Sequence, residues 1–244
     1  MIEDWWQTEG RAREEARGRE AEIVELTELG FAIFGEGLEK MEQRKLKPWE
    51  LVAAFAAAQL HNTLRAAREL AFAGYGVQSL ALARLADEFL VLLWWIPEHQ
   101  DKAEAWLDPA QKRKTSGEMA QDVFRKDVET GARYKELHQS LHRFAHQDAL
   151  AFTAIYEREE ADRAGVHLGP VTEPGQLRAA SFYLLTFLAL GADTLARIVV
   201  ADGAHAARVV AYMQRVDDWR ERTDRQEHAR LTALGHDLPP PEEM

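Results

Sequence analysis

The sequence has no cysteine, which excludes disulfide bonds, metal sites built on thiolates and a thiol nucleophile. This absence favours the reducing cytoplasm, which is the location that we predict. Cations are also in the minority, because 30 Lys and Arg oppose 41 Asp and Glu and leave a net charge of -11. A phosphate-binding surface needs clustered cations, so the charge balance disfavours a general nucleic-acid binder.

Long uncharged apolar runs are missing as well. Residues 89–96 are too few to span a membrane, and residues 181–201 include Asp193 and Arg197. The first nine residues, MIEDWWQTE, lack the basic and apolar regions of a signal peptide. The sequence therefore predicts a soluble protein without a membrane segment.

The common catalytic and cofactor motifs are absent. Neither glycine-rich phosphate loop occurs, and there is no Gly-x-Ser-x-Gly elbow. No histidine follows a glutamate at the three-residue spacing that di-iron helical bundles use. We therefore expect no cofactor, and a role without enzymatic activity is favoured.

What the sequence does contain is alanine and leucine in helical patterns, with few β-branched runs. These patterns predict an all-α protein that forms a single helical bundle of six or seven helices. Residues 148–174 are expected to form a long loop with a helical piece at 150–163. The predicted helical segments are 3–47, 49–73, 77–96, 98–107, 118–146, 176–200 and 204–234.

The chain is expected to divide into three parts. Residues 1–47 are predicted as an N-terminal charged helix that packs on the bundle and is softened or broken by Gly30, Gly35 and Gly37. Residues 48–234 form the main helical bundle, and residues 235–244 form a disordered tail.

Three histidines, His138, His142 and His146, recur every four residues and line one edge of a predicted helix. Two such histidines can chelate zinc, and His61 on another helix could add a third nitrogen. The set of His61, His138 and His142 would be similar to the metal site of DinB-like four-helix proteins. The alternative is that these histidines form local hydrogen bonds on a partly exposed helix.

Three charged residues, Arg84, Asp87 and Glu88, share one side of an otherwise apolar helix. Buried charges must pair or face a wet cleft, so Arg84 and Glu88 could line a polar pocket with Tyr134 and His142. The alternative is an internal ion-pair network that fixes the register of the helices.

A set of short motifs lies on and around the third and fourth major helices. The residues are Gly74–Gly76 before Arg84 and Glu88, then Tyr134, Leu137 and His142 with His138 in place of a serine, then Gly169 and Pro170. With these residues the chain resembles an uncharacterised bacterial all-α family of the domain-of-unknown-function type, which is related in shape to HEPN-like (higher eukaryotes and prokaryotes nucleotide-binding) bundles. The likeness covers about residues 51–200 and implies a helical bundle with no assigned activity.

HEPN ribonucleases carry an arginine followed four to six residues later by a histidine, at a dimer interface. The resemblance therefore implies Arg133 and His138 as catalytic residues, with His142 nearby. Arg222 and His228 satisfy the same spacing, and Tyr134 and Thr223 stand at the position after the arginine, where those enzymes usually carry a different polar residue. The spacing alone therefore carries little weight.

Our first functional hypothesis is a binding or interaction module that forms a homodimer or binds a protein partner. Tryptophans predicted on exposed helix surfaces, Trp5, Trp6, Trp106 and Trp219, would contribute to such a surface. The first alternative is a metal-independent ribonuclease or toxin, with RNA as a partner that the net charge disfavours. The second is a DinB-like metal-binding bundle.

Overall fold

In the computed structural model, the described residues are 2–108, 110–145, 156–160, 163–166, 170, 174–199 and 203–233. These residues are almost entirely helical, so the predicted all-α class is confirmed, with one short β-hairpin added to it. Two predicted helices are each divided, which gives nine α-helices in the described residues instead of six or seven. The elements are α1 (Ile2–Arg19), α2 (Ala21–Glu42), α3 (Pro48–Phe72), α4 (Gly76–Trp95), α5 (Ala103–Leu107), α6 (Ser116–Val123), α7 (Val128–Ala145), β1 (Tyr156–Glu160), β2 (Arg163–Val166), α8 (Pro174–Ile198) and α9 (Gly203–Ala233).

The antiparallel pair of α3 and α4 follows the sequence prediction closely. Pro48 occupies the first turn of α3, where its missing N–H costs no hydrogen bond. Gly74 has a φ of 88°, a left-handed conformation that glycine adopts without steric strain, and it reverses the chain. The predicted boundaries of both helices are therefore confirmed to within two residues.

Helix α8 lies at the centre of the bundle and packs against α2, α3, α4 and α9. Its segment Gly175–Ile198 is long and apolar enough to cross a membrane, and in the described residues it alone passes that test. However, 67% of its most apolar window is buried inside the protein. Burial in the core accounts for this hydropathy, since central helices are apolar on all sides.

The N-terminal segment forms two helices, so the prediction of one helix over residues 3–47 is corrected. The break falls at Glu20, between α1 and α2, and α2 then continues through all three glycines that were expected to soften it. At two of them, close packing explains why a glycine is required. A Cβ atom on Gly30 would lie 2.2 Å from the Tyr212 hydroxyl, and one on Gly37 would lie 2.7 Å from the Leu195 side chain.

A row of ion pairs also joins α2 to α9. Arg208 donates to both oxygens of Glu36, at 2.6 and 2.7 Å. Arg215 pairs with Glu25 at 2.7 Å, and Arg222 pairs with Glu22 about one helical turn further along α2. Three glutamates of α2 thus lie along an antiparallel contact with α9.

The predicted helix over residues 118–146 is divided in the same way. Its first part is α6, whose N-terminus is capped by Thr115 and Glu118 in a capping box. A short 3₁₀ turn at Phe124–Lys126 then ends this part, and α7 begins at Val128. The Asp127 carboxylate caps the second start by accepting a hydrogen bond from the Thr130 N–H at 3.0 Å.

The predicted helical piece at residues 150–163 is wrong where it can be compared. Strands β1 and β2 form an antiparallel hairpin that pairs Tyr156 with Val166 and Glu157 with Gly165. The backbone groups of β1 therefore bond across the hairpin instead of along a helix. The predicted disordered tail at 235–244 lies outside the described residues.

Candidate functional site

Helices α4 and α7 bring together a group of charged and polar side chains that we call the polar cluster. Helix α4 contributes Arg84, Asp87 and Glu88, and α7 contributes Tyr134 and His138. The sequence placed Arg84, Glu88 and Tyr134 in one polar pocket, and the structure brings these three into the same region.

Asp87 is the centre of the polar cluster and is completely buried, with 0% of its surface exposed. Its Oδ2 atom accepts a hydrogen bond from the Tyr134 hydroxyl at 3.1 Å and lies 2.8 Å from Nδ1 of His138. Nη1 of Arg84 is 3.6 Å from the same oxygen. Because an ionised carboxylate can only accept, Nδ1 of His138 is the donor in this contact.

Tyr134 is fixed by aromatic contacts on two sides. Its ring stacks on Phe124 with centroids 4.8 Å apart and meets the edge of Trp94 at 6.1 Å. Burial, together with the negative charge of Asp87, raises the pKa of Tyr134 far above its usual range. Tyr134 therefore remains a hydroxyl donor to Asp87 at any physiological pH.

This arrangement has one chemical capacity and one structural consequence. A histidine held at Nδ1 by a buried carboxylate presents Nε2 as a proton acceptor. However, these polar contacts of Asp87 run from one helix to the next or within α4 itself. They fix the position of α7 on α4, as the alternative of an internal ion-pair network requires.

The histidines of the predicted stripe do not meet His61. The rings of His138 and His142 stack with centroids 6.3 Å apart, and His146 lies outside the described residues. His61 instead packs against Phe31 and Phe34 of α2, where burial lowers its pKa. In the part of the chain that the structure describes, no three His, Asp or Glu side chains lie close enough together to hold a metal ion.

The catalytic pair implied by the HEPN resemblance is not brought together either. Arg133 is 78% exposed at its side chain and pairs with Glu129 at 2.7 Å. His138 points to Asp87 instead, and five positions along a helix turn a side chain by about 140°. The second pair with this spacing has its arginine engaged elsewhere, because Arg222 pairs with Glu22 on α2.

A second candidate surface, the apolar face, lies on the outer side of α3 and α4 beside α5. It is defined by the exposed side chains Leu51 and Phe55 of α3, Leu85 of α4 and Leu107 of α5. Phe55 is 53% exposed, and its ring meets the edge of Phe89 with centroids 6.4 Å apart. Leu85 lies one helical turn before Phe89, so it continues the same surface.

An apolar groove of about 580 Å³ runs along the apolar face between α3, α5 and the end of α2. Glu42 and Arg113 are the charged side chains that line it, and Arg113 lies over the ring of Trp106 at 5.3 Å. The apolar lining residues are Leu38, Met41, Leu46, Leu51, Val52, Ala54, Phe55, Ala58, Trp106 and Leu107.

The four tryptophans predicted to be exposed have different environments. Trp6 is exposed on α1, and Trp106 is half-buried in the groove of the apolar face. Trp219 is buried, with only 4% of its surface exposed, because its position on α9 faces the core. The prediction that Trp219 is exposed is therefore corrected. The side chain of Trp5 lies outside the described residues.

Two parts of these surfaces were missed at the level of sequence. Asp87 was grouped with its charged neighbours, but its central position was not foreseen, because Asp87 and Glu88 are adjacent acids and the sequence does not show which of them is buried. Leu51, Phe55 and Leu85 were not singled out, because nothing in the sequence tells which apolar helix residues stay uncovered.

Comparisons with known proteins add no further constraint. No family model, no curated protein and no solved structure matches the chain. The two surfaces described above are therefore the basis on which its function has to be inferred.

Proposed function

We propose that the protein is a cytoplasmic interaction module that binds a protein through the apolar face. One observation carries the proposal. Seven large hydrophobic side chains are exposed in the described residues, and four of them, the residues that define the apolar face, lie on this one surface. Contiguous exposed apolar patches of this kind mark interaction sites, whereas scattered exposed residues do not.

The chemistry of the apolar face also suits protein binding. Phe55 and Trp106 provide aromatic side chains beside a groove, and aromatic residues in pockets supply much of the energy of protein interfaces. Charge is sparse there, as it is in the centre of typical interfaces.

We also propose that the bundle is of the HEPN-like kind. What supports this is the position of the motif residues, which are far apart in the sequence. Arg84 and Glu88 on α4 lie beside Tyr134 and His138 on α7, and Tyr134 is within reach of the charges of both α4 residues. The ribonuclease alternative has no comparable support, because Arg133 and His138 lie apart.

Photo-crosslinking in cells tests the interaction module directly. A benzophenone amino acid replaces Phe55 in one sample and Val210, an isolated exposed residue of α9, in the control sample. The proposal expects a crosslinked protein product from position 55 and none from position 210. Absence of any product from position 55, or equal products from both positions, would contradict it.

A further inference from the structure

We infer that the protein which occupies the apolar face is a second copy of this chain, bound about a two-fold axis beside α3. The inference rests on the proposed function, because it names the partner of the same surface. A two-fold interface uses one patch twice, so the patch must be complementary to itself. Shape and charge both meet this requirement.

The shape argument comes from two neighbouring rows of side chains on α3. Leu51 and Phe55, four residues apart, form a ridge in which both side chains are about half exposed. Ala54 and Ala58, also four apart, form the shallow row beside it and line the groove. Ridges pack into such rows when two helices cross, so the Phe55 ridge of each copy fits the alanine row of the other.

The charge argument concerns an acidic chain that binds itself. With a net charge of -11, two copies repel each other unless they meet through a surface that is nearly free of charge. The groove is lined by one anion, Glu42, and one cation, Arg113, and both are exposed. When a two-fold axis relates two copies, Glu42 of each copy can pair with Arg113 of the other. The arrangement of charges on this surface is therefore complementary to itself.

A basic partner would fit the same surface less well. It would be attracted by clustered carboxylates, and Glu42 is the single carboxylate that lines the groove. An interface between two copies needs no such cluster, because its energy comes from apolar contact and its register from two equivalent ion pairs. The surface therefore favours a second copy over a basic protein.

Sedimentation equilibrium of the purified full-length protein, from about 1 to 100 µM, tests the inference. We expect a reversible dimer for the natural sequence and for the control Val210→Glu, whose substitution adds a charge to an exposed site away from the apolar face. Phe55→Glu should weaken the dimer about 30-fold or more, because it places a charge on the ridge. Circular dichroism confirms that each variant is folded.

Glu42 and Arg113, the two charged residues that line the groove, provide a sharper test of the two-fold symmetry. Glu42→Arg and Arg113→Glu should each weaken the dimer about 5-fold, since each sets like charges against each other. The double variant should return to within about 2-fold of the natural sequence, because it reverses both partners of each pair. Failure of the double variant to recover would overturn the two-fold arrangement.

The outcomes separate the inference from the proposed function. A monomer at all concentrations, together with crosslinking from position 55 to a different protein, overturns the inference and leaves the interaction module standing. A monomer with no crosslinked product overturns both. A dimer that Phe55→Glu and Val210→Glu weaken equally also overturns the inference, since it would then assemble elsewhere.

Discussion

The polar cluster and the apolar face lie on neighbouring sides of α4, yet they differ in how far the protein itself supplies contacts for their side chains. In the polar cluster, the tyrosine and histidine contacts of Asp87 hold α7 on α4, and Arg84 pairs with Asp87 within α4. On the apolar face, large side chains such as Phe55 are half exposed beside an open groove. The comparison teaches that the conspicuous charged residues hold helices in place, while the inconspicuous apolar surface stays exposed.

The largest effect is expected when the centre of the polar cluster is removed. Asp87→Ala leaves Arg84 and the Tyr134 hydroxyl without their buried partner, and breaking such a pair costs about 3–5 kcal/mol of unfolding free energy. Urea denaturation at neutral pH measures this loss. The matched control Glu88→Ala removes a half-exposed acid from the next position and should cost less than about 1 kcal/mol. Equal losses for the two variants would show that Asp87 is not a structural centre.

A smaller loss is expected from one hydroxyl group of the same cluster. Tyr134→Phe keeps the ring contacts with Phe124 and Trp94 but removes the hydrogen bond to Asp87. A hydrogen bond to a charged group contributes about 1.5–3 kcal/mol, so the variant should lose about that much in urea denaturation. Unchanged stability would mean that water replaces the hydroxyl at Asp87.

The apolar face should behave in the opposite way. Phe55→Glu replaces a half-exposed side chain whose ring contacts Phe89, so the unfolding free energy of the monomer at low protein concentration should fall by less than about 1.5 kcal/mol. Leu60→Ala, a buried residue of the same helix, serves as the comparison and should cost about 2–5 kcal/mol. A loss of similar size for Phe55→Glu would place Phe55 in the core and remove it from the interaction surface.

The smallest effect concerns pH and the burial of His61. Burial against Phe31 and Phe34 lowers the pKa of His61, so the unfolded chain binds this proton more readily than the folded chain does. Stability should therefore fall as the pH drops below about 6.5, the usual value for histidine. Denaturation curves at pH 7 and pH 5 should show a smaller loss for His61→Gln. An equal loss in both proteins would contradict this assignment.

The sequence predicts the fold well where its signals are local. Pro48 and the turn at Gly74–Gly76 set the limits of α3 and α4. Proline restricts the backbone and glycine allows it more conformations, and neither effect depends on tertiary contacts. The division at Phe124–Lys126 was missed because apolar residues continue through it at helical spacing. Two capping signals were available, at Thr115 with Glu118 and at Asp127 with Thr130.

The candidate surfaces depend on tertiary packing, which local sequence signals do not predict. The charges of Arg84, Asp87 and Glu88 share a helix face by periodicity alone, so their grouping was predictable. Tyr134 lies 47 residues beyond Asp87, so the sequence offered it as a pocket residue only by hypothesis, and its hydrogen bond to Asp87 depends on tertiary packing. On α3, exposed Leu51 and buried Val52 are neighbours in an apolar stretch, so their different environments depend on which helices pack there.

Hydrogen exchange at two protein concentrations tests the central claim most directly. If the apolar face binds a second copy, the amides of residues 48–58 in α3 exchange more slowly at about 100 µM than at about 1 µM, because assembly covers this half of the helix. The amides of residues 128–145 in α7 should exchange at the same rate at both concentrations. Equal exchange of the α3 segment at both concentrations, or slower exchange confined to α7, would contradict the account.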